Sequence, residues 1–206
     1  LAMNARGQRE TGGALGDFLL TVPAIRMLRQ AFPDAHLEVL GYRQFVCVSE
    51  EAGLVDRSRS IEYGRLASFF AARAQLDSEL MEYFGSFDVV VSYLFDPDGH
   101  LAMNLERCEV STLLKGIHKP EEGGEHAAIQ LMGPLASLAL FPEEGWDGKL
   151  RLKGKAPQGE GPLLGIHPGS GGDRKNWPVD RWLGLAERVV ERDLGSGVLL
   201  LTGEVE

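Results

Sequence analysis

The residues best suited to chemistry in this sequence form a glycine-rich loop at residues 165–178. Its centre reads Ser-Gly-Gly at residues 170–172, and Arg174 and Lys175 follow shortly after. Glycine lets backbone N–H groups approach a bound anion closely, because it has no side chain. The two cations can donate hydrogen bonds to the same anion. These residue types predict an anion site, and a nucleotide diphosphate is the ligand that suits it best.

The elements on either side of this loop would place the anion at the start of a helix. An apolar run at residues 162–166 predicts a strand. Apolar residues then recur with helical spacing at Trp182, Leu185, Ala186, Val189 and Val190. The N-terminus of a helix carries roughly half a positive charge, which favours an anion there. Pro178 suits the first turn of that helix, because proline lacks an N–H group where none has a helical partner.

A plain structural turn remains the alternative interpretation of this loop. The loop matches neither the G-x-G-x-x-G pattern that opens a helix nor the G-x-x-x-x-G-K-[ST] pattern. Glycine also occurs in any turn that needs unusual backbone dihedral angles. The residues alone therefore predict an anion site without identifying a reaction.

The composition is that of a folded, acidic protein. The 206 residues are 44% hydrophobic, enough for a globular core, and the net charge is −9. This charge argues against binding to nucleic acid, which needs a basic face. No apolar run reaches the roughly 20 residues that span a bilayer, and we expect no signal peptide. Cys47, Cys108 and the five histidines lack metal-ligand spacing, so we expect no metal site and reduced thiols in a cytoplasmic protein.

The N-terminal part predicts a helix followed by a strand. Residues 17–32 have helical spacing, and Phe32 and Pro33 end the pattern. Pro23 interrupts the helix, so we expect either a kink or a helix that restarts with Thr21 as its cap. Residues 36–40 alternate as a strand, which Gly41 closes.

Residues 45–75 predict two helical stretches around a short strand at residues 60–62. Arginines recur in and beside this region, at Arg43, Arg57, Arg59, Arg65 and Arg73. A solvated face is the favoured interpretation, because charged side chains usually lie outside. The alternative is a basic patch for an anionic acceptor, set against the acidic background.

The clearest strand lies at residues 87–94, whose β-branched core suits a parallel strand covered on both faces. Residues 96–99, Asp-Pro-Asp-Gly, end it at the position where open α/β sheets place ligands. Asp96 and Asp98 could form a catalytic pair, but turn chemistry explains them better. A helix is predicted to follow at about residues 125–140.

Residues 142–161 contain prolines, glycines and charges and are predicted to be a linker. They separate residues 1–141 from residues 162–206, where a second apolar strand follows the loop and its helix. A unit with only two strands cannot form a stable domain alone. We therefore expect an incomplete second domain, with an unpartnered apolar face at Trp182, Leu185 and Val189.

Two stretches of this sequence carry a family resemblance. The first is His167-Pro168-Gly169-Ser170-Gly171-Gly172, followed by Lys175-Asn176-Trp177-Pro178. The second is Gly16-Asp17-Phe18-Leu19-Leu20-Thr21-Val22-Pro23-Ala24-Ile25-Arg26. They resemble, in the same order, the donor-site motif and the N-terminal motif of the lipopolysaccharide heptosyltransferases, glycosyltransferase family nine.

The resemblance implies an α/β fold of two Rossmann-like domains facing across a cleft, the GT-B arrangement, with the C-terminal domain incomplete. Residues 1–141 would form the acceptor-side domain, and residues 162–206 the start of the nucleotide-sugar-binding domain. It also implies an inverting transfer of heptose from ADP-heptose to the lipopolysaccharide inner core. The family has an apolar strand where residues 5–12 are polar, so we expect this end to be altered or residues to be missing.

The resemblance also assigns roles to individual residues. Asp17 matches the catalytic base, and a helix N-cap is its alternative role. The family's donor contacts map onto Ser170, Gly171, Gly172, Lys175 and Glu206. Of these, Ser170 and Lys175 would contact the diphosphate, and the two glycines would let the backbone approach it. Glu206 would contact the ribose hydroxyls.

The implied partners are ADP-heptose as donor and the lipopolysaccharide core or a lipid A precursor as acceptor. No metal or other cofactor is required, since Lys175 and the helix N-terminus can balance the diphosphate. We expect a cytoplasmic protein, with peripheral contact at the inner face of the cytoplasmic membrane left open. Two alternatives remain: a GT-B glycosyltransferase with another nucleotide sugar, and a non-catalytic nucleotide-binding protein.

Overall fold

A computed structural model of the chain describes residues 15–60, 64–143, 145, 148–153, 161–169, 174, 176–195 and 197–201. The chain divides into two compact units, Leu1–Lys153 and Gly154–Glu206. In the described residues, the first unit contains several helices and two pairs of parallel strands, and the second contains one helix and one such pair.

The first unit alternates helices and short strands along the chain. In order, its elements are α1 (Leu15–Ala31), β1 (Glu38–Gly41), α2 (Arg43–Glu51), β2 (Arg57–Ser60), a 3-10 helix (Gly64–Phe70), α3 (Ser78–Gly85), β3 (Val89–Ser92), α4 (His100–Glu106), β4 (Thr112–Lys115), α5 (Ala127–Met132) and a second 3-10 helix (Gly133–Leu138). The second unit contains β5 (Leu163–Ile166), α6 (Val179–Glu191) and β6 (Gly197–Leu200).

The described strands form three parallel pairs, in which β1 pairs with β2, β3 with β4 and β5 with β6. One helix separates the two strands of each pair along the chain, namely α2, α4 and α6. Parallel strands need such a crossover, because a short hairpin cannot reverse the chain direction. The predicted mixed α/β class with parallel strands is therefore confirmed.

Two hydrophobic cores cover opposite faces of β1 and β3. The first core contains Val39 and Val91 together with apolar residues of α1, α2 and α5. The second contains their neighbours Leu40 and Val90 together with residues of α3 and α4. Successive side chains of a strand point to opposite faces, so both strands are covered on both sides. This confirms the interpretation of a doubly covered parallel strand within residues 87–94, although the strand itself spans only Val89–Ser92.

Helix α1 continues through Pro23 without restarting, spanning 17 residues from Leu15 to Ala31. The Thr21 hydroxyl donates to the carbonyl of Phe18 at 2.5 Å, inside the helix. A threonine that bonds back to a preceding turn does not act as a cap. The predicted restart at Thr21 is therefore wrong, while the predicted end before Pro33 is confirmed.

Short elements differ most from the sequence-based expectations. In the region of the strand expected at residues 60–62, the described strand is β2 at Arg57–Ser60, which pairs in register with β1, and residues 61 and 62 lie outside the described residues. The helix expected at residues 125–140 is α5 followed by a 3-10 helix. Helix α4 and strand β4 correspond to no sequence prediction, although they complete the second β-α-β unit.

Arg57 and Arg59 meet a buried carboxylate at the amino ends of β1 and β2. Glu38 is only 8% exposed, and Arg59 Nε donates to its Oε2 at 3.1 Å. Arg57 Nη1 lies 3.9 Å from the other carboxylate oxygen. The Tyr83 hydroxyl donates to Glu38 at 2.9 Å, and the Arg59 guanidinium lies 4.4 Å from the centre of the Tyr83 ring. These contacts argue against the use of either arginine in an acceptor patch.

Glu38 is expected to stabilise the fold in a pH-dependent way. Burial would raise the pKa of Glu38, but hydrogen bonds from His36 and Tyr83, together with Arg59, outweigh it and lower the pKa. Such a carboxylate stabilises the fold above its unfolded-state pKa and loses that contribution as the pH falls. Glu38→Gln should lower the free energy of unfolding at pH 7 by about 1–3 kcal/mol. The difference from wild type should shrink below about pH 4.5.

Urea unfolding at a series of pH values measures this effect. Glu82→Gln is the matched control, because Glu82 is an exposed glutamate on α3. Equal stability of wild type and Glu38→Gln at pH 7 would contradict a stabilising role for this carboxylate.

The apolar residues of α6 are divided between covered and exposed positions. Val189 is 8% exposed, and Trp182 and Leu185 are half-buried. The expectation that this face stays unpartnered is therefore wrong for Val189. The most exposed apolar side chains of α6 are instead Val179 and Val190.

Candidate functional site

The predicted strand–loop–helix arrangement is present in the second unit. Strand β5 ends at Ile166, and α6 begins at Val179. Pro178 is the N-cap residue of α6, one position earlier than the first-turn placement that the sequence predicts. The loop therefore runs from the carboxyl end of a parallel strand to a helix N-terminus, where peptide N–H groups favour an anion.

The first turn of α6 already holds one carboxylate, that of Asp180. A carboxylate at this position complements the positive end of the helix. Binding of a further anion would therefore depend on cations of the loop itself. Arg174 is exposed, and its role in anion binding stays a prediction.

The predicted donor contacts lie outside the described residues. They are Ser170, Gly171, Gly172, Lys175 and Glu206. On the near side of the loop, His167 Nδ1 lies 2.9 Å from the carbonyl oxygen of Gly169. This short contact suits the interpretation of His167 as a turn residue.

Two tryptophans follow the loop and contact each other. The rings of Trp177 and Trp182 meet edge to face, with their centres 4.9 Å apart and an angle of 87° between their planes. Such aromatic contacts stabilise by about 0.5–1.5 kcal/mol beyond the burial of area. The contact ties the last residues of the loop to α6. From the helical spacing alone, Trp182 is predicted only as a core residue, and its contact with Trp177 is not predicted.

Asp17 lies in the first turn of α1 and is exposed. The residue at its N-terminal side, Gly16, and Leu15 before it are already helical. An N-cap residue precedes the first helical residue, so the cap role does not fit Asp17. The position of Asp17 does not test its role as catalytic base, which stays a proposal.

A pocket of about 220 Å³ lies in the first unit at the carboxyl ends of β3 and β4. We call it the β3–β4 pocket. It is lined by Ser92, Leu94, Phe95, Asp96, Pro97, Leu101, Ala102, Leu105, Leu113, Lys115, Gly116 and His118. The sequence analysis does not single out Lys115 or His118. Lys115 comes directly after the apolar pair Leu113 and Leu114, and His118 follows three residues later, which was the signal available for finding them.

Asp96 forms one wall of this pocket and organises the turn after β3. Its two carboxylate oxygens accept from the backbone N–H groups of Leu101 and Ala102, both at 3.0 Å. Gly99 takes a left-handed conformation with φ of 71°, which glycine adopts without strain. The turn interpretation of Asp96 is therefore confirmed.

The described part of the chain lacks two features. There, no group of three or more histidine, cysteine, aspartate or glutamate side chains is arranged to hold a metal ion. None of the described helices combines the length and the apolar character of a bilayer-spanning segment.

Comparison with known proteins shows that the fold of this chain is similar to that of several solved structures. No protein-family model matches the sequence, and no curated protein matches it significantly. Among solved structures, a glycosyl transferase family 9 protein from Veillonella parvula DSM 2008 matches with a TM-score of 0.59 and 18% sequence identity. The match covers 98% of this chain and 70% of that one.

Two Escherichia coli structures match in the same way. ADP-heptose lipopolysaccharide heptosyltransferase II has a TM-score of 0.60 at 14% identity, covering 97% of this chain and 62% of that chain. Heptosyltransferase WaaC with ADP has a TM-score of 0.58 at 14% identity, covering 98% and 65%. This chain thus spans about two thirds of the length of these structures. At these identities the likeness establishes the fold, a mixed α/β architecture similar to that of GT-B glycosyltransferases.

Proposed function

We propose that this chain belongs to an inverting glycosyltransferase that moves heptose from ADP-heptose to the lipopolysaccharide inner core. The observation that carries the proposal is the cationic glycine-rich loop between β5 and the N-terminus of α6. It occurs in a fold that resembles solved glycosyltransferases, two of which are heptosyltransferases. The motif around Asp17 adds independent support.

In this proposal the two parts of the chain have different tasks. Residues 1–141 form the acceptor-side Rossmann-like domain, residues 142–161 the linker, and residues 162–206 the start of the nucleotide-sugar-binding domain. Ser170 and Lys175 bind the diphosphate, and Gly171 and Gly172 allow the backbone to approach it. Glu206 accepts hydrogen bonds from the ribose hydroxyls.

The proposed chemistry is a single displacement at the anomeric carbon of the heptose. The Asp17 carboxylate removes the proton of the acceptor hydroxyl as its oxygen attacks that carbon. A new carbon–oxygen bond forms on one face while the bond to the diphosphate breaks on the other, so the configuration inverts. The bonding electron pair leaves with ADP, and Lys175 together with the α6 N-terminus stabilises its charge. No metal is needed for any of these steps.

The proposed acceptor is the lipopolysaccharide core or a lipid A precursor. Such an acceptor is membrane-bound, so the protein would work in the cytoplasm with peripheral contact at the inner face of the membrane. The −9 net charge means that this contact would not come from a general attraction to anionic lipid.

A transfer assay on the full-length protein tests the function. The protein is incubated with ADP-heptose and a lipid A precursor, ADP release is followed, and the anomeric configuration of the product is determined by NMR. We expect ADP release that depends on acceptor and a product with inverted configuration. UDP-glucose and GDP-mannose serve as control donors that test the specificity for ADP-heptose.

Two other outcomes of this assay would each support one of the two alternative functions. Transfer from UDP-glucose or GDP-mannose in preference to ADP-heptose would indicate a GT-B enzyme with a different donor. Tight ADP binding with no transfer from any donor would indicate a nucleotide-binding protein without turnover.

A further inference from the structure

We propose that a second pocket of the first unit, beside the C-terminal half of α1, binds an amphipathic molecule with an apolar chain and one carboxylate or phosphate group. We call it the α1 pocket. Its volume is about 680 Å³, within the range of roughly 300–1,000 Å³ that is usual for pockets that bind small ligands. It shares no described lining residue with the β3–β4 pocket, so it is a separate site.

One wall of the α1 pocket is helix α1 itself. Pro23, Arg26, Met27 and Gln30 line the pocket, with the three- and four-residue spacing that places side chains on one face of a helix. A helix rises 1.5 Å per residue, so Arg26 lies roughly 13 Å further along the axis than Asp17. The pocket is therefore distinct from the first turn of α1, which carries the proposed catalytic base.

The opposite wall is formed by described residues of the segment 139–151, which follows the second 3-10 helix. Leu140 and Leu150 both pack against the first core. The Arg26 guanidinium donates from Nη2 to the carbonyl oxygen of Lys149. The segment is thus attached to the first unit near both of its ends, and the pocket lies where it meets α1.

Part of the lining is apolar and suits a flexible hydrocarbon chain. Met27 and Met132 come from two different helices, and Leu140 and Phe141 come from the segment 139–151. Met132 is 2% exposed and belongs to the floor, whereas Phe141 is 67% exposed and lies at the open side. Methionine side chains are flexible and polarisable, so they adapt to ligands of irregular shape.

The charged groups of the described lining favour an anionic head group. Arg26 and Arg151 contribute two positive charges, and Glu143 contributes one negative charge. Their sum is positive, in a chain whose net charge is −9. A guanidinium presents a fixed fork of N–H donors that fits the oxygens of a carboxylate or phosphate. A molecule with an anionic head and an apolar chain therefore matches both parts of the lining.

Titration calorimetry with decanoate on the full-length protein tests the pocket. Decanol has the same chain without the charge, and butyrate has the same head group with a short chain. We expect decanoate to bind at least about tenfold more tightly than either, because it alone combines a buried chain with charged hydrogen bonds. The affinity for ADP should be the same with and without saturating decanoate, since the two molecules would occupy different sites.

Four variants locate the binding. Arg151→Gln should weaken decanoate binding about tenfold, whereas Arg43→Gln removes an exposed arginine outside the pocket and should have no effect. Phe141→Ser should also weaken decanoate binding about tenfold, with Phe95→Ser in the β3–β4 pocket as its control. All four side chains are exposed, so the variants should fold, and thermal unfolding without ligand verifies this.

Vesicles of phosphatidylcholine with and without phosphatidylglycerol identify the source of the ligand. Sedimentation of the protein with the phosphatidylglycerol vesicles, lost in Arg151→Gln and Phe141→Ser, would support the pocket with a membrane lipid as its ligand. Decanoate binding as expected without such sedimentation would support it with a free amphiphile.

Three results would overturn the inference. They are equal binding of decanoate and decanol or butyrate, equal effects of a pocket variant and its control, and displacement of ADP by decanoate. The proposed function is tested independently by the transfer assay. Decanoate binding as expected in a protein that transfers no sugar would leave the α1 pocket standing and refute the proposed enzyme.

Discussion

Replacement of Asp17 by asparagine is expected to reduce turnover by roughly 10²–10⁴-fold, the usual contribution of a general base. Asparagine keeps the size of the side chain but cannot accept the proton of the acceptor hydroxyl. Affinity for ADP should stay nearly unchanged, because the base acts on the acceptor and not on the nucleotide. Steady-state kinetics of heptose transfer, combined with ADP titration calorimetry, measure both quantities.

Asp34→Asn is the matched control for this variant. Asp34 is an exposed aspartate just beyond the other end of α1, and its replacement should leave turnover unchanged. Thermal unfolding of both variants separates chemistry from stability. Wild-type turnover in Asp17→Asn would refute the assignment as base. A large loss of stability would instead indicate that the carboxylate supports the helix N-terminus.

Replacement of Lys175 by alanine is expected to weaken ADP binding by about 1.5–3 kcal/mol, the range for a hydrogen bond to a charged group. This corresponds to roughly 10- to 150-fold in the dissociation constant. The loss should be larger at low ionic strength, because salt screens exposed charges. Titration calorimetry at two salt concentrations measures it.

Arg192→Ala provides the control for the loss of one positive charge. Arg192 is the C-cap residue of α6, at the end of the helix away from the loop, and it is exposed. Its replacement changes the net charge equally but should leave ADP affinity unchanged. Equal affinity of wild type and Lys175→Ala would remove the loop from the donor site.

Elements with strong local patterns could be predicted from the sequence. The continuous apolar run around Val89–Ser92 predicts a buried strand, and the 3.6-residue spacing after Pro178 predicts α6. The turn role of Asp96 also follows from local chemistry, since short polar side chains bond to backbone N–H groups nearby. Patterns of this kind depend on neighbours along the chain, which the sequence shows directly.

Elements without a strong local pattern could not be predicted, because they are stabilised by partners far away in the chain. Strand β4 has only four residues, and its pairing with β3 defines it. Thr21 shows the same limit: two residues before Pro23 it resembles a cap, but its side chain is only 5% exposed on the buried face of α1. Burial of the helix face overrides the local preference for a break.

The sequence by itself determined the α/β class and the strand–loop–helix unit, because both rest on local periodicity and local residue types. Asp17 and Lys175 became candidates through the resemblance of their motifs to a known family, and their roles stay proposals. Only the tertiary structure decided which charged groups are already paired. The pairing of β1 with β2 brings Glu38 to Arg57 and Arg59, and thereby commits two arginines to structure. The pairing of β3 with β4 likewise places Lys115 opposite Ser92, and the chain that follows brings His118 beside Phe95. Such contacts join residues that are distant along the chain, and they depend on strand register, which local sequence patterns do not specify.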